Sequence, residues 1–318
     1  PRAHPLALGP GREFDAIRDF AARWGSLASA LGDDCAVLDV PAGARLCVST
    51  DASVEDVHFR RGWLTPREIG YRAAAAALSD LAAAAAEPLG LLLALSAPHA
   101  WRADIGEVAE GVGEAARAAG TRILGGDTTG GAGALSLTVT VLGAARRPLS
   151  RGGAEPGDRV WVTGALGGPL AALRAFERGE APAAADRERF ARPVPRLREA
   201  RWLAERGARA AIDVSDGLLA DLGHVAAASE VTIEVDVARV PCLAGVSNAD
   251  AAGSGEEYEL AVVLPPALDV AEAFARELGT PLTEVGRVAS SGRGPGRVIA
   301  LASGTRVDLP VGYDHFSS

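Results

Sequence analysis

The sequence contains no lysine: all 32 of its lysine-plus-arginine positions are arginine. That excludes a Schiff-base lysine and a Walker A phosphate loop, both of which need the amine. Methionine is also missing, initiator included, which suggests an incomplete N-terminus. The three cysteines, Cys35, Cys47 and Cys242, are scattered and odd in number. They form no disulfide framework and no CxxC zinc pair, and they suit a reducing cytoplasm. Five histidines without an HExxH pattern are too dispersed for a zinc cage. Basic charge is in deficit, with a net charge of −9, which argues against nucleic-acid or anionic-membrane partners. No apolar run is long enough for a membrane span or signal peptide. The longest, Ala73–Ala97, is broken by Asp80, Glu87, Pro88 and Gly90, and reads as a helix followed by a strand.

What is present is a chain of 318 residues, 48% hydrophobic, long enough for two domains with real cores. A loose tail leads to an amphipathic helix over Glu13–Trp24. Strands are expected at Cys35–Val40 and Arg45–Thr50, and period two puts Ser49 and Asp51 on one face and Thr50 on the other. All three reach one site only if the strand ends or bends there. Thr65-Pro66-Arg67-Glu68 is a helix start with an N-cap, a proline at the first position and a capping box. That helix runs to about Ala86 and carries Asp80 in its C-terminal half, against the helix dipole.

Further on, a strand is expected at Leu89–Ser96, a helix at Ala103–Ala119, a short strand Thr121–Leu124 ending at Gly125-Gly126-Asp127, and a strand at Ala134–Gly143. The domain boundary falls near Arg146–Gly153, giving domains 1–148 and 149–318. The second half reads as strands at Arg159–Thr163, Ala210–Val214, Val231–Val235 and Tyr258–Leu264. Its helices follow Gly168, span Arg196–Arg206, follow Gly217 and span Ala267–Leu278. Gly179–Pro195, rich in Ala, Pro and charge, reads as a surface linker. There is no convincing internal repeat. Gly111-Val112-Gly113-Glu114-Ala115-Ala116 imitates a dinucleotide fingerprint but lies inside a helix, so it is rejected.

The chemistry sits in a series of acidic turns: Gly32-Asp33-Asp34, Ser49-Thr50-Asp51, Ser79-Asp80, Gly125-Gly126-Asp127-Thr128-Thr129 and Asp213-Val214-Ser215-Asp216-Gly217. Each places an acid at or beside the junction of an apolar run and a Gly-, Ser- or Thr-rich turn. Any one alone reads better as a cap or Asx-turn; their recurrence points to hard divalent cations, which take carboxylate and hydroxyl oxygens. Two like charges about 4 Å apart repel by roughly 4 kcal/mol at an effective dielectric of 20, so converging carboxylates imply bound cations. Taken singly, His58, Arg151, Glu256 and Tyr313 read as ordinary surface or packing residues.

As an ordered series the motifs say more. Gly-Asp-Asp-Cys-Ala-Val-Leu, Ser-Thr-Asp…Val-His-Phe, Leu-Ser-Asp-Leu-Ala-Ala, Gly-Gly-Asp-Thr-Thr, Ser-Arg-Gly-Gly-Ala-Glu-Pro-Gly-Asp, Ile-Asp-Val-Ser-Asp-Gly-Leu, Gly-Glu-Glu-Tyr-Glu-Leu and Gly-Tyr-Asp-His-Phe run from Glu13 to Phe316 in a set that resembles the thiamine-monophosphate kinases. These belong to the AIR-synthase-like (PurM-like) ATP-binding superfamily. The resemblance implies an α/β (α+β) two-domain PurM-like fold, with N-terminal domains that pair in a homodimer and ATP bound in a cleft. It implies several Mg2+ ions on Asp34, Ser49, Thr50, Asp51, Asp80, Asp127, Asp213 and Asp216. It implies ATP contacts from Gly126, Arg151 and Ser215, and thiamine-monophosphate contacts from His58, Glu256 and Tyr313. No nucleophile or general base is expected, because the acceptor phosphate is already ionised near neutral pH.

The chain departs from the family's Gly-Gly-Glu-Asp-Tyr-Glu-Leu, reading Ser254-Gly255-Glu256-Glu257-Tyr258-Glu259-Leu260. Ala84 replaces the family's Met, and the stretch Val237–Gly253 is short. Two alternatives remain at this level. One is another enzyme of the superfamily, such as a selenophosphate synthetase or a carbamoyl-handling maturation enzyme, whose characteristic Cys or Lys features are not seen. The other is a non-catalytic nucleotide-binding paralogue.

Overall fold

A computed structural model describes residues 11–28, 31, 35–292, 294–309 and 312. Its contacts divide the chain into two compact units, residues 1–81 with 86–146, and residues 82–85 with 147–318.

The first unit opens with helix α1 (Arg12–Trp24), whose buried Phe20 and Trp24 form its inner stripe. Strand β1 (Arg45–Val54) follows, then α2 (Pro66–Ala83), β2 (Glu87–Pro98), α3 (Ile105–Ala118), β3 (Ile123–Gly131) and β4 (Ser136–Ala145). The α2 capping box forms as read: the Thr65 amide donates to Glu68 Oε2 at 2.8 Å and the Glu68 amide donates to Thr65 Oγ1 at 3.2 Å. The rejected fingerprint is a helix crossing. A Cβ at Gly70 would lie 1.9 Å from the Val108 carbonyl oxygen, and one at Gly111 would lie 1.9 Å from that of Arg67, so α2 and α3 touch backbone to backbone. The Trp24 indole donates to the Ala109 carbonyl at 2.7 Å and seats α1 on α3.

The strands form one sheet in the order β1-β4-β2-β3, with β2 and β3 parallel and the other pairs antiparallel. Its inner face buries Leu91, Leu93, Leu95, Leu137, Val139 and Val141. Two strand expectations are corrected. Residues 35–40 form no strand, and Val37 is 89% exposed, so the alternating pattern there had no partner to pair with. The strand expected to stop at Leu124 continues as β3 through Gly125-Gly126-Asp127, because it finds a full ladder on β2.

The second unit contains β5 (Arg159–Thr163), α4 (Gly168–Glu177), α5 (Ala184–Ala191), α6 (Leu197–Glu205), β6 (Ala210–Asp213), α7 (Leu218–Ser229) and β7 (Val231–Asp236). It ends with α8 (Asn248–Gly253), β8 (Leu260–Leu264), α9 (Ala271–Leu278), β9 (Leu282–Ser290), β10 (Arg297–Ala302) and β11 (Thr305–Arg306). Seven strands order as β11-β10-β7-β9-β5-β8-β6. Both faces are covered. Val160 and Val162 of β5 join Leu218, Leu222 and Val225 of α7 in one core, while Trp161 between them joins Trp202, Leu203 and Phe274 in another. Each fully buried side chain of this kind contributes about 1.5–3 kcal/mol.

The supposed linker 179–195 is the main correction. It contains α5, with Phe190 and Ala191 buried and the Phe190 ring 5.7 Å from that of Phe176. Among the described residues no helix is long and apolar enough to cross a membrane.

Candidate active site

In the first unit, β1 does not end at Asp51 but runs straight on to Val54, so period two holds throughout. Ser49 and Asp51 therefore share the inner face, opposite Val141 and Val139 of β4. There the Ser49 hydroxyl donates to Asp80 Oδ2 at 2.5 Å, which joins the strand to the C-terminal half of α2. The position that opposes the helix dipole is thus explained by a polar partner across the interface. Thr50 faces the other way, with its hydroxyl 3.0 Å from that of Thr140.

Gly126 and Asp127 lie on β3, the far edge of the same sheet, with two strands between them and β1. At about 4.8 Å per strand that is roughly 14 Å. Asp127 also registers with Ala94 and hence with the face of Thr50, opposite to Ser49 and Asp51. Within one domain the sheet therefore gathers Ser49, Asp51 and Asp80 and keeps Asp127 apart. Gly126 is glycine for a steric reason, since a Cβ there would lie 1.9 Å from the Leu93 carbonyl oxygen.

His58 follows β1, and its Nδ1 accepts the Val54 amide at 3.1 Å. That bond places the neutral ring's proton on Nε2. A cleft of about 540 Å3 in this domain is lined by Arg12, Arg23 and Arg102 together with Thr128 and Thr129. None of the predicted site residues lines it. Asp34 and Tyr313 lie outside the described residues.

In the second unit, Asp213 ends β6 and Ser215, Asp216 and Gly217 turn into α7. The turn is wrapped round a residue that sequence reasoning missed. Asp221 Oδ2 accepts the amides of Ser215 at 3.0 Å, Asp216 at 3.2 Å and Gly217 at 3.1 Å. An acid in the first turn of a helix, favoured by the dipole, was the available signal. Burial, then the nearby charges of Asp213 and Asp216, push the Asp221 carboxyl up to about 8. Arg151 lies exposed on a turn fixed at both ends: the Ser150 carbonyl takes the Ala211 amide, and the Arg151 carbonyl takes the Ser229 hydroxyl.

The segment Ser254–Tyr258 is laid directly on this acidic turn. Glu256 donates its amide to the Ser215 carbonyl at 2.6 Å, and Glu257 and Tyr258 donate theirs to the Val214 carbonyl at 3.1 and 2.9 Å. Gly255 allows the approach, since a Cβ would stand 2.7 Å from the Ser215 carbonyl oxygen. The seam imposes left-handed backbone on Glu256 (φ 61°) and Tyr258 (φ 54°), at a cost of about 1–2 kcal/mol for each.

The two departures from the family motif turn out to be partners. The Ser254 hydroxyl donates to Glu257 Oε1 at 2.5 Å, and the same oxygen accepts the Gly167 amide. Glu257 is buried, which pushes its carboxyl up to about 7 against those two bonds. Glu259, wholly buried, accepts from Arg189, Arg196 and the Thr163 hydroxyl. Only Glu256 of the three acids is left partly accessible, its Oε2 taking the Tyr258 hydroxyl at 2.6 Å.

Against known proteins, residues 32–145 match the family described as "AIR synthase related protein, N-terminal domain" and residues 155–299 its C-terminal domain. Thiamine-monophosphate kinase of Escherichia coli (strain K12) is 35% identical over 308 residues, covering 91% of this chain and 92% of the relative. The enzyme of that name from Bacillus subtilis (strain 168) is 33% identical over 324 residues, covering 96% and 99%. The chain belongs to the thiamine-monophosphate kinase family. Its fold superposes on the crystal structure of the Stenotrophomonas maltophilia K279a thiamine-monophosphate kinase with a TM-score of 0.80 at 36% identity, covering 93% and 98% of the two chains. A structure described as "AaThiL complexed with AMPPCP and TMP" gives 0.75 at 27% identity, covering 96% and 97%. A hydrogenase maturation protein HypE in complex with ATP shares the fold, with a TM-score of 0.80 at 22% identity over 96% of each chain. The two-domain α+β architecture of the AIR synthase related family is therefore that of this chain.

Among the described residues no three His, Cys, Asp or Glu side chains form a ready-made metal cage. Mg2+ takes oxygen ligands, keeps several waters and is held by one or two carboxylates plus substrate phosphates. The oxygen-only sets Ser49–Asp51–Asp80 and Asp213–Asp216 fit it.

Proposed function

We propose that the chain transfers the γ-phosphoryl group of ATP to the phosphate of thiamine monophosphate, giving ADP and thiamine diphosphate. The observation that carries this reading, beside family membership, is the Asp213–Gly217 turn, where three successive amides converge on the buried carboxylate of Asp221 and two further acids, Asp213 and Asp216, stand in the same turn. A carboxylate group of that density is the electrostatic mark of a functional site. Both reactants are polyanions, and without lysine the chain meets them with Mg2+, arginine and backbone amides.

Asp51, Asp80, Asp213 and Asp216, with Ser49, Thr50 and Asp34, are ligands of this reading, and Asp127, apart from Ser49, Asp51 and Asp80 on the sheet, is a ligand to another of its several ions. Thr50 takes part through its backbone, since its hydroxyl is turned to the other face. When bound, Mg2+ neutralises the charge developing between donor and acceptor oxygens. Gly126, Arg151 and Ser215 hold the nucleotide. His58 contacts the thiamine monophosphate, and Glu256 and Tyr313 meet the cationic thiazolium and the aminopyrimidine. Transfer is direct and in line: the acceptor oxygen forms its bond to the γ-phosphorus as the bond to the ADP oxygen breaks.

We read the outer sheet face as a pairing surface between two copies. Leu46 and Val48 are 49% and 58% exposed there, beside Thr50, Ala52, Thr138, Thr140 and Leu142, none of them charged. Incubation with Mg2+, ATP and thiamine monophosphate tests the proposal. Stoichiometric ADP and thiamine diphosphate are expected; ADP without thiamine diphosphate, or neither product, refutes it.

A further inference from the structure

The turn that carries His58 is docked on one tryptophan. Glu55, the residue after β1, donates its amide to the Leu135 carbonyl at 2.9 Å, and its Oε2 accepts the Leu135 amide at 3.1 Å. The same oxygen accepts the indole Nε1 of Trp101 at 2.9 Å, from the turn His99–Trp101 that follows β2. On the other side of His58, the Phe59 ring stands edge-on to Trp101, with centroids 6.5 Å apart and planes at 86°. Both rings are buried. The Arg61 guanidinium covers the Trp101 ring at 4.4 Å and donates to the Ala100 carbonyl and to Asp104. Residues 55, 59 and 61 thus all reach one side chain, and His58 lies between the first two.

The turn needs such support. Asp56 takes left-handed backbone (φ 67°), a conformation that persists in a non-glycine residue only where its surroundings over-determine it. The Val57 and His58 amides donate to the Val54 carbonyl at 3.2 and 2.9 Å, and the Val54 amide donates to His58 Nδ1. Those bonds set the imidazole within the turn, but they lie inside residues 54–58 and move with it as one piece. The bonds of Glu55 to Trp101 and Leu135 fix that piece to the exit of β2 and the entry of β4. We propose that Glu55 and Trp101 are positioning residues for the phosphoryl acceptor: the Glu55 carboxylate, by joining the Trp101 indole to the Leu135 amide, holds the turn where it presents His58 to thiamine monophosphate. This rests on the reading of His58 as a contact to that substrate. Asp51 is held separately, by the continuous pairing of Arg45–Val54 with β4, so the effect falls on one substrate and not on the metal end.

The test measures KM separately for thiamine monophosphate and ATP in Glu55→Ala, Glu55→Gln, Trp101→Phe and His58→Ala, and in the Glu55→Ala, His58→Ala double variant. Glu55→Ala and Trp101→Phe are each expected to raise KM for thiamine monophosphate by about 3- to 10-fold, the scale of one hydrogen bond. KM for ATP and kcat at saturation stay within about twofold, under the scale of one such bond. Glu55→Gln is expected to behave as the parent, because a single acceptor oxygen receives both donors. In the His58→Ala background Glu55→Ala is expected to add little, because the group it positions is already gone. Trp101→Phe keeps an aromatic face against Phe59 and removes the N–H donor, so it replaces Glu55→Ala in the cycle if that variant does not fold. A loss in Glu55→Gln as large as in Glu55→Ala would overturn positioning and make the negative charge a direct contact. An equal effect of Glu55→Ala with and without His58 would overturn it as well. No effect of Glu55→Ala or Trp101→Phe while His58→Ala raises KM would refute the inference and leave the His58 reading intact. No effect of His58→Ala would remove that reading itself and the inference with it. Parallel loss for both substrates would show a general loosening of the domain and also refute the inference.

Discussion

Replacing Glu259 by Gln probes the corrected linker directly. The carboxylate is wholly buried and receives Arg189 Nη2 at 2.7 Å, Arg196 Nε at 2.6 Å and Nη2 at 2.5 Å, and Thr163 Oγ1 at 2.6 Å. A glutamine side chain keeps one acceptor oxygen and sets an NH2 group against donors. Two guanidinium groups lose their shared counter-charge, retaining only the longer approaches of Arg189 to Glu257 at 3.6 Å and Arg196 to Glu199 at 3.7 Å. Breaking a buried ion pair by removing one partner costs about 3–5 kcal/mol. For a domain of this size each kcal/mol shifts the midpoint by about 2–4 °C, so thermal unfolding should fall by about 6–20 °C. Limited proteolysis under native conditions should also begin to cut within 179–196, since Arg189 and Arg196 tie that segment to Glu259, just ahead of β8. A midpoint within about 2 °C of the parent, a shift worth under roughly 1 kcal/mol, with no new cleavage would refute the clamp.

Other outcomes follow from the same geometry. Asp213→Asn, or exhaustive chelation of the parent, should lower turnover by about 100-fold or more, from loss of several kcal/mol of charge stabilisation, while the variant remains folded by circular dichroism; full activity after chelation would remove the metal reading. Glu257 has a native pKa raised to about 7 from 4.5, so the folded state holds the extra proton between those values and stability falls as pH rises through that window. The loss from this residue is at most about 3 kcal/mol between pH 4.5 and 8, and the difference between parent and Glu257→Gln in midpoint against pH should show that slope; parallel curves would refute it. Val48→Asp on the outer sheet face should convert a dimer into monomers in light scattering, and an unchanged mass would sink the pairing surface.

Much of this was legible because the signals were local. The Thr65–Glu68 capping box needs only four adjacent residues, and the Ser49/Asp51 alternation only one strand. What escaped needed a partner far along the chain. Arg189 and Arg196 look solvent-bound until Glu259, 63 residues beyond Arg196, supplies the buried carboxylate. Residues 35–40 carry a strand's pattern with no neighbouring edge to receive it. Asp127 reads as a companion of Asp51 because the motifs are alike, while the strand order that separates them is a property of the sheet and not of either turn. Ser254 and Glu257 read as two departures from a pattern, and only the fold shows that one hydroxyl and one longer side chain satisfy each other.

The seam between the acidic turn and Ser254–Tyr258 also closes the stretch that lies between them in sequence. Residues 217–253 leave the seam at Gly217 and return to it at Gly253, where a Cβ on Gly217 would come within 3.1 Å of the Gly253 carbonyl oxygen. The excursion between them, through α7, β7 and α8, is closed where its ends meet, by four backbone hydrogen bonds between 214–215 and 256–259 and by the Asp221 carboxylate inside it. The acids at either end of the excursion, Asp213 and Asp216 on one side and Glu256 on the other, are thus kept together by the seam, as stitching holds a hem.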